Sequence, residues 1–206
     1  MEFKINSTIK TFAGLMLFLA AMSACTDNSG YAPKPRGYFR IKFPKKEYQE
    51  YKGVCPFTFI YPKYAVIDTD RTSIKAKKLL NMQSLLNMQF PQFNGTLHLS
   101  YETITSKYVF DQLTEDAHKF VYKHTVKASS IDQGFIRYPD RKVYGIYYTL
   151  EGNAASSLQF FITDSTKNYL RGALYFNTEP RLDSIQPVLT FVKKDVDVLI
   201  KSFRWR

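Results

Sequence analysis

VYGIYYTLEGNAASSLQFFITDSTKNYLRGALYF, residues 143–176, decides the fold class. Its apolar and aromatic residues form runs of strand length, and the first run alternates with a period of two. Two short polar segments, 151–153 and 164–167, interrupt the runs with Gly, Asn, Asp and Ser, the residues that tight turns favour. The stretch therefore predicts three antiparallel strands joined by hairpins, at about 142–150, 156–163 and 168–177.

Further strands are predicted on the N-terminal side of this stretch. A run at 131–138 adds a fourth strand to the meander, and FTFIY (57–61) and LLNMQF (85–90) are strand-like runs that end at prolines. In TLHLSYE (96–102) apolar and polar residues alternate, as expected for a strand with one buried face. Together these runs predict an antiparallel sheet of about six strands.

Two segments have helical spacing instead. Apolar residues recur every three or four positions at 107–127 and again at 185–203, with charged residues between them. Amphipathic helices of this kind pack one face on a sheet and expose the other to water. An antiparallel sheet with segregated helices defines an α+β fold, here an α/β sandwich packed by two helices. The order of elements is similar to that of the PsbP-like fold.

The N-terminal segment predicts export and lipidation. Residues 12–22, FAGLMLFLAAM, are too short to span a bilayer as a helix, but they fit the apolar core of a signal peptide that follows Lys4 and Lys10. MSAC (22–25) resembles a bacterial lipobox, in which the Cys25 thiol takes the lipid, with acyl chains such as palmitate. An ordinary signal peptide or a short membrane anchor are the alternatives.

The predicted organisation follows from this processing site. Residues 1–24 form a lipoprotein signal peptide, 25–36 a flexible tether that carries two prolines and a glycine, and 37–206 a single α+β domain. We expect the protein in the cell envelope, lipid-anchored to a membrane and facing the periplasm. Lipidation of Cys25 leaves Cys55 without a partner in the chain, which predicts a buried free thiol, an intermolecular disulfide being the alternative.

The chain is strongly basic. Residues 1–24 hold two of the 29 Lys and Arg and one of the 18 Asp and Glu, so the remainder has a net charge of +10. An exported protein rarely meets nucleic acid, and we expect no nucleic-acid partner. Anionic lipid head groups, lipopolysaccharide or the cell wall are natural counterparts, and a solvated basic surface without any partner is equally compatible with the charge.

No pattern of catalytic or metal-binding residues stands out. The sequence has no HExxH, GxSxG or SxxK motif, and His118 and His124 are six positions apart, which puts them on different faces of a helix. Paired carboxylates for glycoside hydrolysis meet only in the fold, and the available acids have the spacing of helix-surface residues: Glu102, Asp111, Glu115 and Asp116. We therefore predict no enzyme, no metal and no cofactor.

The turns of the opening stretch allow two interpretations. Asn153, Asp164, Ser165 and Thr166 are residue types that tight turns require. The same polar side chains beside aromatic strands would also suit a protein–protein contact. The first interpretation is favoured by the residues alone.

Several long segments resemble one known family. They are PKPRGYFRIKFPKKEYQ (33–49), CPFTFIYP (55–62), NMQFPQFNGTLHLSY (87–101), HKFVYKHTVKASSI (118–131), residues 143–180, and DSIQPVLTFVKKDVDVLIKSFRW (183–205). With the preceding lipobox they look like the GldD gliding-motility lipoproteins of the Bacteroidetes. The block GNAAS…QFFITDSTK…LRGALYF is the most specific part. The family pattern falls on Gly37, Tyr38, Cys55, Pro56, Phe57, Asn153, Ala154, Ala155, Asp164, Ser165 and Thr166.

The resemblance implies a function. It suggests a non-enzymatic envelope lipoprotein that works with the gliding machinery and its linked type 9 secretion system, through contacts with other envelope lipoproteins. It implies no catalytic residue and no cofactor, and the family positions are candidates for interaction. The alternative is an envelope lipoprotein that binds or processes a polyanionic or cell-wall ligand such as peptidoglycan.

Overall fold

Seven antiparallel strands form the main sheet in a computed structural model that describes residues 41–69, 84–178 and 182–206. The strands are β4 (Val66–Thr69), β5 (Ser84–Phe90), β6 (Gly95–Thr103), β7 (Ala128–Tyr138), β8 (Val143–Gly152), β9 (Ser156–Thr163) and β10 (Asn168–Phe176). Their order across the sheet is β4-β5-β6-β10-β9-β8-β7. The predicted meander is confirmed, since β7, β8, β9 and β10 are neighbours in that order.

Two two-stranded sheets, two α-helices and two short 3-10 helices, Pro91–Phe93 and Pro139–Arg141, complete the described elements. β1 (Tyr48–Glu50) pairs with β3 (Ile60–Pro62), and β2 (Phe57–Thr58) pairs with β11 (Arg204–Trp205). The helices are α1 (Lys107–Tyr122) and α2 (Leu182–Ser202). The α+β class is therefore confirmed, with seven strands in the main sheet instead of about six.

The helices cover opposite faces of the sheet. On β9 the neighbouring residues Phe160 and Phe161 belong to different hydrophobic clusters, as do Tyr169 and Leu170 on β10. Because successive strand residues point to opposite faces, the two clusters lie on the two sides of the sheet. We call these sides the α2 face and the α1 face. All of β9 is buried because both of its faces are covered.

The larger core lies on the α2 face. It combines the apolar stripe of α2 with inward residues of the strands and with aromatic residues of the small sheets. The smaller core lies under α1, where Ala117 and Val121 pack against Tyr148, Leu150 and Phe161. Each helix buries one face, as the spacing predicted.

An N-terminal arm, residues 41–50, lies along α2. Asp195 of α2 has a fully buried carboxylate, and it accepts hydrogen bonds from Lys46 Nζ at 2.7 Å, Tyr48 OH at 2.8 Å and Tyr64 OH. Burial and the adjacent carboxylate raise the pKa of Tyr48 to about 12, so its hydroxyl stays a donor. The arm is thus fixed to α2 by this buried carboxylate, by a hydrogen bond from Lys46 Nζ to Phe191 O at 2.9 Å, and by a stacked contact of Phe43 with Phe191 at 4.6 Å.

Two predicted elements differ clearly from the structure in their bounds. The run 57–61 divides between two sheets, because Phe57 and Thr58 pair with β11 whereas the residues from Ile60 pair with β1. α1 ends at Tyr122 instead of 127, and the chain turns at 123–127 to enter β7. Contacts group Ile41–Arg206 into one compact unit. The predicted signal peptide, tether and domain start at residue 37 lie outside the described residues.

Candidate interaction surface

Asp164 organises the turn between β9 and β10. Its Oδ1 accepts hydrogen bonds from the backbone N–H groups of Thr166, Lys167 and Asn168 at 2.8–2.9 Å, and its Oδ2 accepts one from Asn168 Nδ2 at 2.7 Å. Burial alone would raise the pKa of Asp164, but these donors outweigh it and lower the pKa to about 2. Ser165 adopts a left-handed conformation with φ 65°. The carboxylate is therefore engaged within its own turn.

The turn at 153–155 lies at the opposite end of β9. Ala154 is buried in the α1 core, while Asn153 and Ala155 are exposed. The eight residues of β9 span about 26 Å at about 3.3 Å per residue. The structure therefore does not bring the two turns of the family motif together.

Residues Cys55, Pro56 and Phe57 support the last residues of the chain. Pro56 O accepts a hydrogen bond from Arg206 N at 2.9 Å, and Phe57 pairs with Trp205 across the β2–β11 sheet. The Phe57 ring also stacks on Phe203 at 5.4 Å. Cys55 has a free thiol that is 5% exposed, and burial raises the pKa of this thiol. The predicted burial of Cys55 is confirmed.

A chain of contacts connects this segment with the Asp164 turn. Phe57 packs against the Tyr101 ring at 6.0 Å, and Tyr101 OH donates to Asn168 Oδ1 at 2.8 Å. Asn168 in turn donates to Asp164. Two of the family segments therefore meet at one end of the sheet. Gly37, Tyr38 and the predicted lipidation site Cys25 lie outside the described residues.

This same end of the sheet is rich in cations. The Arg141 guanidinium donates to the backbone oxygens of Lys201 and Phe203, Trp205 Nε1 donates to Lys142 O, and Arg206 Nη1 donates to Gly53 O. These bonds fasten the β7–β8 turn and the residues after α2 to each other and to the segment at 51–53. We call the resulting cluster the basic end, and it consists of Lys52, Arg141, Lys142, Lys201, Arg204 and Arg206.

Few acids balance the basic end. Asp140 pairs with Arg141 at 3.4 Å and Glu50 with Lys52 at 3.8 Å. The exposed side chains of Lys142, Lys201 and Arg204 form no ion pair with any residue that the structure describes. A surplus of unpaired positive charge on a hydrogen-bonded framework attracts acidic partners and accelerates their association.

The sequence located none of this cluster. The net charge of the chain was evident from the sequence. However, the basic end combines residues near 52, near 141 and at 201–206, which are about 90 and 60 positions apart, and only the fold brings them together. Residues FRWR (203–206) carried the one local signal, since aromatic and basic side chains alternate there.

Other polar groups do not form a site of this kind. His98 lies on the exposed part of the α1 face, and its Nδ1 lies 2.7 Å from Asn87 Oδ1. In the described ranges, no group of three or more His, Cys, Asp or Glu residues is placed to hold a metal ion. None of the helices described here has the length and apolar character required to cross a membrane.

These observations define the class of protein: an α+β domain with a cationic end and a predicted lipid anchor. The sequence pattern of the family described as "Gliding motility lipoprotein GldD" matches residues 28–205. The match spans most of the chain, which therefore belongs to the GldD family of gliding-motility lipoproteins, as the sequence segments predicted. Membership in a lipoprotein family indicates attachment to a membrane of the cell envelope. A comparison with curated proteins finds no match.

Proposed function

We propose that the chain is a non-enzymatic component of the gliding machinery and its linked type 9 secretion system. It is lipid-anchored through Cys25, faces the periplasm, and acts through contacts with other envelope lipoproteins. The observation that carries the proposal is the basic end. Three of its exposed cations, Lys142, Lys201 and Arg204, form no ion pair with a carboxylate of the described residues.

The distribution of the acids supports a binding role. Asp164 is engaged by its own turn, and Asp195 fixes the arm to α2. Neither carboxylate is available for proton transfer to a substrate in this arrangement. The exposed cations lie on the β7–β8 turn, at the end of α2 and on the short strand β11, which hydrogen bonds connect, so a partner meets a preorganised surface. Charge complementarity then favours a partner with an acidic patch.

The same basic end favours one alternative. A cell-wall polymer such as peptidoglycan is polyanionic, and three unpaired cations on a fixed framework would also bind it. Binding of this kind is screened by salt, whereas a contact that includes the partly exposed Trp205 ring retains an apolar component at high salt.

Charge reversal at the basic end tests the proposal. A strain that lacks the gene is complemented with wild type or with Lys142→Glu, Lys201→Glu and Arg204→Glu combined. We expect the triple variant to accumulate normally but to lose most cell spreading and cargo secretion, and to lose co-purified envelope lipoproteins from solubilised membranes. The residues are exposed, so the substitutions leave the core intact.

A matched variant controls for net charge. Lys123→Glu, Lys127→Glu and Lys194→Glu change the charge equally at exposed positions outside the basic end, and should support spreading and secretion. If both triple variants behave like wild type, the basic end has no part in the function. If wild type co-purifies only cell-wall fragments, and high salt removes them, the alternative replaces the proposal.

A further inference from the structure

The long edge strand of the main sheet is exposed. β7 is the last strand in the sheet order, so one side of its 11 residues pairs with no strand of the described chain. Proteins usually keep edge strands short or protect them with prolines, lysines or covering segments, because an unpaired edge recruits other strands. Between Asp132 and Phe135 every residue of β7 is exposed, and this part contains neither proline nor lysine.

Phe135 makes this edge unusual. Its side chain is 87% exposed in the middle of the strand, and it borders a groove of about 570 Å³ that Arg137 and Tyr144 also line. Aromatic and arginine side chains are the residues that most often dominate protein interfaces. The neighbouring Gly134 has no steric reason to be glycine, since an added Cβ would meet nothing within 4 Å. A glycine in a strand often marks close approach of another backbone.

We propose that β7 pairs with β7 of a second copy of the chain, antiparallel, around a twofold axis at Phe135. The two main sheets would then form one continuous sheet across the pair. The inference goes beyond the proposed function and uses a different surface from the exposed cations of the basic end.

The charges along β7 exclude two registers and are compatible with the one centred on Phe135. Side chains directly opposite each other in an antiparallel pair interact, and like charges in that position are unfavourable. Centring the axis on Asp132 or on Arg137 would place two identical charges together. Centring it on Phe135 stacks the two phenyl rings, places Arg137 opposite Gln133, and places Asp132 opposite Tyr138. Gly134 then lies opposite Ile136, whose side chain is buried in the core of its own copy.

Self-complementarity is the reason to choose a second copy over another protein. In the proposed pair, Phe135 of one copy meets Phe135 of the other. The same strand also supplies the neutral residues that lie opposite Asp132 and Arg137. The overall charge opposes self-association, because each copy carries the net charge of +11 that the sequence gives, or +10 after processing. The contact therefore depends on strand pairing and on the aromatic rings, and salt should strengthen it by screening the repulsion.

Disulfide trapping in membranes that contain the full chain tests the register. In the proposed pair, position 133 of one copy lies opposite position 137 of the other, whereas the two 133 positions are four residues apart, about 13 Å. Disulfides need Cα atoms about 4.4–6.8 Å apart. Two single variants, Gln133→Cys and Arg137→Cys, are produced in the same cells and oxidised. We expect this mixture to give at least tenfold more covalent dimer than either variant produced alone. Phe135→Cys should cross-link with itself.

Controls use the opposite edge of the same sheet. Val66 on β4 is 52% exposed, and Val66→Cys should give no more dimer than wild type. Adding Phe135→Lys to the 133/137 pair should lower the dimer about tenfold, equivalent to about 1.4 kcal/mol, whereas adding Val66→Lys should not. An equal yield from the 133/137 mixture and the single variants would overturn the proposal. So would a yield that falls as salt rises, because that dependence indicates attraction between opposite charges.

Discussion

Asp164 shows how one side chain can be typical of a family without being a contact. Its two oxygens are occupied by three backbone N–H groups and the Asn168 amide, so a partner would have to displace bonds that the turn needs. Asn168 also accepts from Tyr101, which packs on Phe57. The carboxylate therefore stabilises the same end of the sheet that carries the exposed cations.

The stability of the chain should depend on pH through Asp164. The folded-state pKa of about 2 lies below the usual value of about 3.9, so the stabilisation is complete above about pH 4 and disappears as the pH falls through about 2. Asp164→Ala should lower the free energy of unfolding by about 1–3 kcal/mol at neutral pH, measured by urea titration. The difference from wild type should shrink towards pH 2.

A second acidic turn residue provides the control. The Asp140 side chain is 70% exposed and makes one long ion pair, so Asp140→Ala should change the free energy of unfolding by less than about 0.5 kcal/mol. Equal losses for the two variants, or a loss for Asp164→Ala that is the same at pH 7 and pH 2, would refute this account of the turn.

At the scale of the element, the centre of the sheet depends on a glycine. Gly172 of β10 lies opposite Phe160 of β9, and an added Cβ would come within 2.3 Å of the Phe160 ring. That ring is 1% exposed in the larger core, so it cannot move freely. Gly172→Ala should lower the free energy of unfolding by about 1–3 kcal/mol, measured by urea titration.

A second glycine provides the control. For Gly134→Ala on β7, where space is open, the free energy of unfolding should stay within about 1 kcal/mol of the wild-type value. A neutral Gly172→Ala variant would mean that the ring has room to shift.

The elements show what the sequence could and could not predict. The strands of the meander were predictable because alternation and turn residues are local signals, and both helices followed from their spacing. The break at Phe59 was not predictable, because it depends on pairing with residues 204–205, about 150 positions later. The basic end and the exposed edge of β7 escaped prediction for the same reason. Local patterns fix which residues form strands, but only the strand order decides which strand is at the edge.

At the scale of the whole molecule, attachment to the membrane is the property to test. The family is one of lipoproteins, and Cys25 is the proposed site of lipidation. Cys25→Ala should leave the membrane fraction or remain unprocessed, because the thiol is the acceptor of the lipid. Cys55→Ala is the matched control and should fractionate with the membrane, since that thiol is buried in the core. Membrane fractionation measures the attachment of each variant, and mass spectrometry of the N-terminal peptide measures its processing and lipidation. A processed, membrane-bound Cys25→Ala protein would contradict the assignment.

The attachment of the arm to Asp195 has a mechanical consequence. Along the arm, Phe43 meets Phe191, Lys46 and Tyr48 meet Asp195, and the contacts follow the direction of α2. Tension applied to the chain ahead of residue 41 and parallel to the helix would strain these contacts simultaneously, in shear. Tension perpendicular to the helix would detach them one after another, beginning with Phe43, and would need much less force. The arm therefore makes the domain mechanically anisotropic, with Asp195 as the junction that must yield before tension reaches the strands of the main sheet.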